Sequence, residues 1–170
     1  LIFAIDEIDV FIFDFDGVLT NNMVHVDQNG NESVICSRSD GLAFEALRKM
    51  GKISYIFSTE KNPIVSSRAN KLKVPCIQGV ENKLNSINEL CNNNDLDLDR
   101  VVYVGNDIND YQAMRICGFK VCPADSHELI KSIADVKLRS KGGDGVVREL
   151  LEESLNLNLE ELGIEGAKEI

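Results

Sequence analysis

The sequence predicts an α/β fold, built on a doubly wound, Rossmann-like and mostly parallel sheet. Short apolar runs alternate with amphipathic segments along the chain, and no repeat or long linker interrupts them. Runs that are apolar on both faces are typical of buried parallel strands, which right-handed helical crossovers connect. The 170 residues, of which 44% are hydrophobic and 27% charged, suffice for a single domain over residues 1–170.

The predicted strands are runs of three to six mainly apolar residues. They span residues 8–13, 53–57, 74–77, 101–104, 119–121 and 136–138. The predicted helices are amphipathic, and the second begins with Pro63, which suits a first helical turn. They span residues 40–50, 63–72, 81–91, 109–117, 127–134 and 145–155.

Residues 20–37 break this alternation and predict a β-hairpin flap. Two strand-like runs, 23–26 and 32–36, flank the pair Asn29-Gly30, which favours a tight hairpin turn. An insertion directly after the first strand overhangs the carboxyl edge of the sheet, where open α/β folds bind their ligands. The flap is too short to be a large cap domain. It would cover the site incompletely, and a neighbouring subunit is one way to complete the cover.

The composition excludes several classes of protein. The net charge of −10 and the pI near 4.7 would repel phosphate backbones, so we expect no nucleic-acid partner. No run approaches the ~20 apolar residues that a membrane span needs. Five cysteines without a CxxC pair indicate free thiols rather than a zinc site or disulfides. The first ten residues lack a signal-peptide pattern, so we expect a cytoplasmic protein.

Asp14 and Asp16 stand where the first predicted strand ends and the chain turns at Gly17. A spacing of two puts both carboxylates on the same side of an extended chain. Two such acids repel each other, and a divalent cation removes the conflict. The pair therefore predicts a metal site, although a turn with two solvated acids is the simpler interpretation of these residues alone.

Residues 14–20, DFDGVLT, resemble the first motif of the haloacid dehalogenase superfamily of aspartate-nucleophile phosphohydrolases. Three further stretches match the family's other motifs in the expected order. Residues 53–58 form a strand that ends in the hydroxyl of Ser58, Lys83 begins a helix, and residues 105–110 follow the strand 101–104. The resemblance covers almost the whole chain, and four ordered motifs are far more specific than one.

The resemblance implies a phosphoric monoester hydrolase that acts through an aspartyl phosphate. Asp14 would attack phosphorus, and Asp16 would protonate the leaving alkoxide and later accept a proton from water. Ser58 and Lys83 would hold the phosphate oxygens. Taken singly, Ser58 is equally an ordinary helix cap, and a lone lysine is most often a solvated charge.

The same resemblance implies Mg²⁺ as the cofactor, held by Asp14, Asp16, Asn106 and Asp107. Asn106 departs from the acid that is commoner at this family position, so it brings an amide oxygen without a charge. Asp110 matches the acid that supports the lysine in the family.

Within the superfamily, the chain resembles a capless branch of sugar-acid phosphatases. This branch includes 3-deoxy-octulosonate 8-phosphate phosphatases, nonulosonate (KDN, sialic acid) 9-phosphate phosphatases and the C-terminal domain of sialic acid cytidylyltransferases. The matching stretches are residues 14–22, the hairpin, and residues 38–42, 66–72 and 142–149. The branch implies a cytoplasmic homotetramer in which a neighbouring subunit completes the pocket.

Glu60 implies a nonulosonate 9-phosphate as substrate, because eight-carbon phosphatases of this branch usually carry arginine there. A carboxylate suits a polyol tail, and the basic pair Arg68 and Lys71 suits a sugar carboxylate. All three could equally be exposed helix charges. The predicted substrate-binding residues are Thr20, Arg38, Thr59, Glu60, Arg68 and Lys71.

Four other functions are alternatives to this one. The first is a 3-deoxy-octulosonate 8-phosphate phosphatase. The second is a phosphatase-like domain of low or no activity that tetramerises a fused sialic acid cytidylyltransferase. Two features favour it: Asn106, and a sequence that starts at Leu1 rather than Met. The third, a phosphoaspartate receiver, has no reason for a hairpin insertion. A nucleotide-binding domain lacks its GxGxxG or GxxxxGK[ST] sequence.

Overall fold

A computed structural model describes residues 3–163 and places a parallel sheet at the centre of the molecule. The strands are β1 (Val10–Asp14), β2 (His25–Val26), β3 (Glu32–Ser33), β4 (Ile53–Phe57), β5 (Cys76–Ile77), β6 (Val101–Val104), β7 (Phe119–Cys122) and β8 (Val136–Lys137). Six of them pair in the order β5-β4-β1-β6-β7-β8, and every pairing in this sheet is parallel. The predicted doubly wound α/β fold is therefore confirmed.

Within residues 3–163, five α-helices lie between the strands and a sixth follows β8. They are α1 (Ser39–Lys49), α2 (Ile64–Leu72), α3 (Lys83–Asn94), α4 (Tyr111–Ile116), α5 (Glu128–Ile133) and α6 (Val146–Glu149), which continues as a π-helical turn over Leu150–Ser154. The helix predicted over 81–91 begins two residues later, because the Asn82 side chain accepts the Asn85 N–H and caps it. Within residues 3–163 no helix combines the length and apolar character that a bilayer crossing requires.

The central strand β1 is buried on both faces, which explains its unbroken apolar sequence. Phe11 and Phe13 face one core, and Val10 and Ile12 face the other. The first core contains residues of α1, α2 and α6, and the second contains residues of α3, α4 and α5. Because every residue of β1 is buried, its carboxyl end is held rigidly at the middle of the sheet edge.

The flap is an antiparallel hairpin of β2 and β3, shorter than the predicted runs 23–26 and 32–36. The residues that flank the two strands are mostly exposed, so few contacts within one chain would stabilise a longer hairpin. An isolated bridge between Thr20 and Cys36 closes its base. Asn62, in the loop after β4, donates from Nδ2 to Glu32 Oε2 at 2.9 Å and ties the hairpin to the sheet edge. The described residues contain no large cap.

Candidate active site

The carboxyl ends of β1, β4 and β6 lie side by side and bring together three of the predicted motifs. Asp14 is the last residue of β1, and Lys83 is the first residue of α3. Lys83 Nζ donates to Asp14 Oδ1 and to Asp110 Oδ1, at 2.6 Å each. All three side chains are buried, and a buried charge is tolerated only when it is paired. The predicted nucleophile, lysine and supporting acid thus form one ion-pair chain.

Asp110 is the centre of a larger network, because its carboxylate accepts four hydrogen bonds. Oδ1 accepts from Lys83 Nζ and from the Tyr103 hydroxyl, the latter at 2.8 Å. Oδ2 accepts the backbone N–H groups of Asn106 at 2.9 Å and Asp107 at 3.3 Å. Asp110 therefore positions both the lysine and the loop after β6. Tyr103 was not predicted as a site residue, since it resembles an ordinary apolar strand position.

The carboxyl groups of Asp14 and Asp16 have raised pKa values. Burial raises the pKa of Asp14 to about 7, and the nearby Asp110 charge adds to this effect, while Lys83 opposes it. Burial works against the charged form of Lys83, but the two carboxylates outweigh it and raise the pKa of Lys83. Burial, followed by the charge of Glu60, raises the pKa of Asp16. Ionised acids here would gain from a further positive charge.

Gly17 lets the catalytic turn approach the loop after β6. Its φ of +83° lies in the left-handed region, and a Cβ at this position would lie 2.0 Å from Asn106 Nδ2. The two loops can meet this closely because residue 17 has no side chain. Any other residue would push Asn106 away from Asp14.

The oxygen atoms around Asn106 fit a hard divalent cation. The inward-facing end of its amide lies 2.9 Å from the Asp16 backbone oxygen and 3.1 Å from Asp14 Oδ2. If that end is nitrogen, it donates to both oxygens; if it is oxygen, three oxygens converge and a cation is needed between them. Asp16 approaches Asn106 through its backbone oxygen, whereas the sequence analysis assigned its carboxylate to the metal.

The acid count at this site is low for a metal centre. Within residues 3–163, no group of three or more His, Cys, Asp or Glu side chains is placed to hold a metal ion. Position 106 contributes an asparagine, whose amide brings an oxygen without a charge. Asp107 lines the same pocket and its Oδ1 accepts the Ile108 N–H at 2.7 Å.

A pocket of about 280 Å³ opens over these residues. Asp14, Asp16, Asn106 and Asp107 line its acidic part. Thr59, Asn22 and Asn109 complete the lining. Thr59 was predicted to bind substrate, but Asn22 and Asn109 were not singled out. A signal was present, since Asn22 follows the first motif closely and Asn109 lies inside the fourth.

The remaining predicted residues near the pocket make local hydrogen bonds. Ser58 is buried at the end of β4, and its Oγ accepts the Glu60 N–H at 3.1 Å. The Thr20 hydroxyl is buried and accepts the N–H groups of Gly17 and Asn22, at 3.2 Å each. Glu60 Oε1 accepts the N–H groups of the next two residues. Thr20 thus shapes the catalytic turn, and Glu60 shapes its own loop.

The predicted basic residues lie elsewhere in the chain. Arg38, Arg68 and Lys71 line a separate groove of about 520 Å³ between α1 and α2. Arg68 Nη2 donates to the Ser37 backbone oxygen at 2.7 Å. This groove shares no lining residue with the acidic pocket, so a single chain does not bring the three cations to Asp14.

Comparison with known proteins gives concordant results. The haloacid dehalogenase-like hydrolase family model matches residues 46–150. The 3-deoxy-D-manno-octulosonate 8-phosphate phosphatase KdsC of Escherichia coli K12 is 31% identical over 146 residues, which cover 85% of this chain and 78% of the relative.

Solved structures agree with this comparison. The 3-deoxy-D-manno-octulosonate 8-phosphate phosphatase of Moraxella catarrhalis, in complex with magnesium, phosphate and KDO, superposes with a TM-score of 0.84 at 30% identity and covers 88% of this chain and 87% of its own. The cobalt-bound deoxy-D-mannose-octulosonate 8-phosphate phosphatase YrbI of Haemophilus influenzae has a TM-score of 0.83 at 28% identity, with 89% of each chain covered.

Proposed function

We propose a substrate and a mechanism on the premise that this chain belongs to the haloacid dehalogenase-like hydrolase family and is a phosphoric monoester hydrolase of the sugar-phosphate phosphatase type. In this proposal it hydrolyses the phosphate ester of a sugar acid with Mg²⁺. The observation that carries it is the buried chain Asp14–Lys83–Asp110, with Asp16 beside it on the open pocket. It combines a nucleophile, a fixed cation and a proton donor.

The reaction proceeds in two displacements at phosphorus. A carboxylate oxygen of Asp14 attacks phosphorus, the bond to the leaving oxygen breaks, and Asp16 gives that oxygen its proton. The raised pKa of Asp16 favours the protonated form that this step requires. Water then attacks the aspartyl phosphate and gives a proton to Asp16. Phosphate leaves and the Asp14 carboxylate is restored.

Fixed groups balance the negative charge of the phosphate during both steps. Lys83 Nζ lies 2.6 Å from Asp14 Oδ1, and Ser58 directly follows the neighbouring strand β4. Mg²⁺, when bound by Asp14, the Asp16 backbone oxygen and Asn106 with help from Asp107, would supply the positive charge that lets a carboxylate meet a phosphate. Because Asn106 is neutral, we expect weaker Mg²⁺ binding than a third acid would give.

We favour a nonulosonate 9-phosphate as the substrate. In this proposal Glu60, the residue that follows the pocket-lining Thr59, lies beside the leaving group. There it can accept hydrogen bonds from the hydroxyl groups of a polyol tail. The names of the relatives support 3-deoxy-octulosonate 8-phosphate as the second candidate.

We also propose a homotetramer in which a neighbouring chain completes the pocket. Four of the eight large hydrophobic side chains that are exposed within residues 3–163 lie on or beside the hairpin: Met23, Val24, Val26 and Ile35. The groove of Arg68 and Lys71 is separate from the acidic pocket of the same chain. A second subunit would therefore be needed to bring this basic pair to a substrate carboxylate.

The deciding experiment measures phosphate release from both sugar phosphates, with Mg²⁺ and with EDTA. We expect turnover that EDTA abolishes and added Mg²⁺ restores. Asp14→Asn should lower kcat by at least about a thousandfold, because the nucleophile is lost. Asp97→Asn, a cap far from the pocket whose Oδ1 accepts the Asp99 N–H, is the control and should leave kcat unchanged.

Each outcome distinguishes the candidates. Undiminished turnover by Asp14→Asn would refute the aspartyl-phosphate mechanism. A folded wild-type protein that releases no phosphate from either ester, with Mg²⁺ present, would favour the non-catalytic domain. The ratio of kcat/KM for the two esters decides between the substrates.

A further inference from the structure

The rim of the acidic pocket carries three neutral polar side chains with unused hydrogen-bonding groups. Asn22, Thr59 and Asn109 line the pocket and are exposed. In the part of the chain that the structure describes, none of these three side chains makes a hydrogen bond to another protein group. Asn21 differs, because its Oδ1 accepts the Met23 N–H at 3.2 Å. The rim residues are therefore free to serve a ligand.

The backbone at Asn22 is fixed in a conformation that side chains rarely adopt. Its φ is +60°, in the left-handed region, where glycine is favoured and asparagine is among the few other residues tolerated. The Thr20 hydroxyl accepts the Asn22 N–H, and the same hydroxyl accepts the N–H of Gly17 in the catalytic turn. This shared acceptor ties Asn22 to the turn that carries Asp16. Strained positions of this kind concentrate at functional sites.

The charges around the pocket restrict what can bind at the rim. The lining contains the carboxylates of Asp14, Asp16 and Asp107, and neither lysine nor arginine belongs to it within the described residues. A carboxylate of the substrate would be repelled there. Amide and hydroxyl groups can instead donate to and accept from the hydroxyl groups of a neutral polyol. The cations of the second groove line a different part of the chain.

We propose that Asn22 and Asn109, together with Thr59, form a subsite that binds hydroxyl groups on the substrate carbons next to the phosphoester. The subsite rests on the proposed phosphatase function and adds a specificity that the catalytic groups do not supply. It selects a polyol phosphate over an ester whose leaving group has no hydroxyl groups. The acid end of the sugar would lie away from this rim.

The test compares wild type with Asn22→Gly on two phosphate esters. Glycine adopts a φ near +60° without strain, and the backbone N–H that bonds Thr20 remains, so the variant keeps the fold of the turn. We expect kcat/KM for the sugar-acid phosphate to fall about tenfold, which corresponds to the loss of one or two hydrogen bonds. The kcat/KM for p-nitrophenyl phosphate should change less than about twofold, because this ester lacks hydroxyl groups to bind.

Asn156→Gly is the matched control. Asn156 has a φ of +54° and lies outside the pocket, so this change relieves the same backbone strain without touching the rim. It should alter neither substrate's kcat/KM. Asn109→Ala should repeat the selective loss seen for Asn22→Gly.

The subsite is overturned if Asn22→Gly lowers the kcat/KM of both esters equally, or of neither. Affinity for the dephosphorylated sugar acid, measured by calorimetry, tests the subsite without turnover. An equal Kd for wild type and Asn22→Gly would also overturn it, whereas a selective loss supports it. Failure of the wild type to cleave either ester refutes the phosphatase proposal instead, and the calorimetric comparison then decides the fate of the subsite.

Discussion

Asp110→Asn should destabilise the protein strongly although it changes one atom type. The carboxylate accepts from Lys83 and Tyr103 on Oδ1, and from the N–H groups of Asn106 and Asp107 on Oδ2. An amide has a single acceptor oxygen. Its NH₂ group would therefore face either the Lys83 and Tyr103 donors or the two backbone N–H groups, and those donors would lose their acceptor. The variant also removes one of the two negative charges that surround the buried Lys83 ammonium.

The expected loss is about 3–5 kcal/mol in the free energy of unfolding, the typical cost of removing one partner from a buried ion pair. Unpaired buried donors alone cost about 1–3 kcal/mol each, so the two estimates agree. Because the total free energy of unfolding of a typical protein is about 5–15 kcal/mol, a loss of this size should leave the variant folded at low temperature. With a urea m-value of about 2 kcal/mol per M, the midpoint should fall by about 2 M.

Urea denaturation followed by circular dichroism measures this loss. Asp135→Asn is the control, because Asp135 accepts the Lys120 N–H at 2.8 Å and pairs with Lys120 Nζ at 3.2 Å in an exposed setting. We expect the control to cost at most about 1 kcal/mol. A loss below about 1 kcal/mol for Asp110→Asn would show that the four-bond network contributes far less than its burial implies.

Two further predictions concern pH and assembly. Burial raises the pKa of Asp40 from 3.8 to about 6, so the folded state binds this proton more tightly and loses about 2 kcal/mol of stability as pH rises from 4 to 7. Asp40→Asn should remove this part of the pH dependence of Tm, and a difference in Tm between the two proteins that stays constant over this range would contradict it. Met23 and Ile35 are 70% and 71% exposed. If the hairpin forms the interface of the proposed tetramer, the double replacement by Ser should lower the mass measured by light scattering, whereas Leu129→Ser should not. An unchanged mass would exclude the hairpin as this interface.

The strands were predictable because a buried parallel strand has a local signature. The runs 53–57 and 101–104 match β4 (Ile53–Phe57) and β6 (Val101–Val104), since apolar residues on both faces leave few alternatives. The hairpin was predictable in kind but not in length, because exposed flanking residues carry no such constraint. The helix over 145–155 was only partly predicted, since its periodicity does not distinguish an α-helix from the π-helical turn at Leu150–Ser154.

The sequence by itself determined the order of the motifs and therefore which side chains are candidates for chemistry, because Asp14, Lys83 and Asp110 each sit at a recognisable strand or helix end. Only the tertiary structure decided which of them touch. Three contacts depend on β1 lying between β4 and β6. They are the ion-pair chain through Lys83, the hydrogen bond from the Tyr103 hydroxyl to Asp110, and the approach of the Asp16 backbone oxygen to Asn106. Likewise, the separation of Arg68 from the acidic pocket follows from where α2 packs. Residues far apart in the chain meet because of the order of the strands and the paths of the loops. The local sequence pattern determines neither of these.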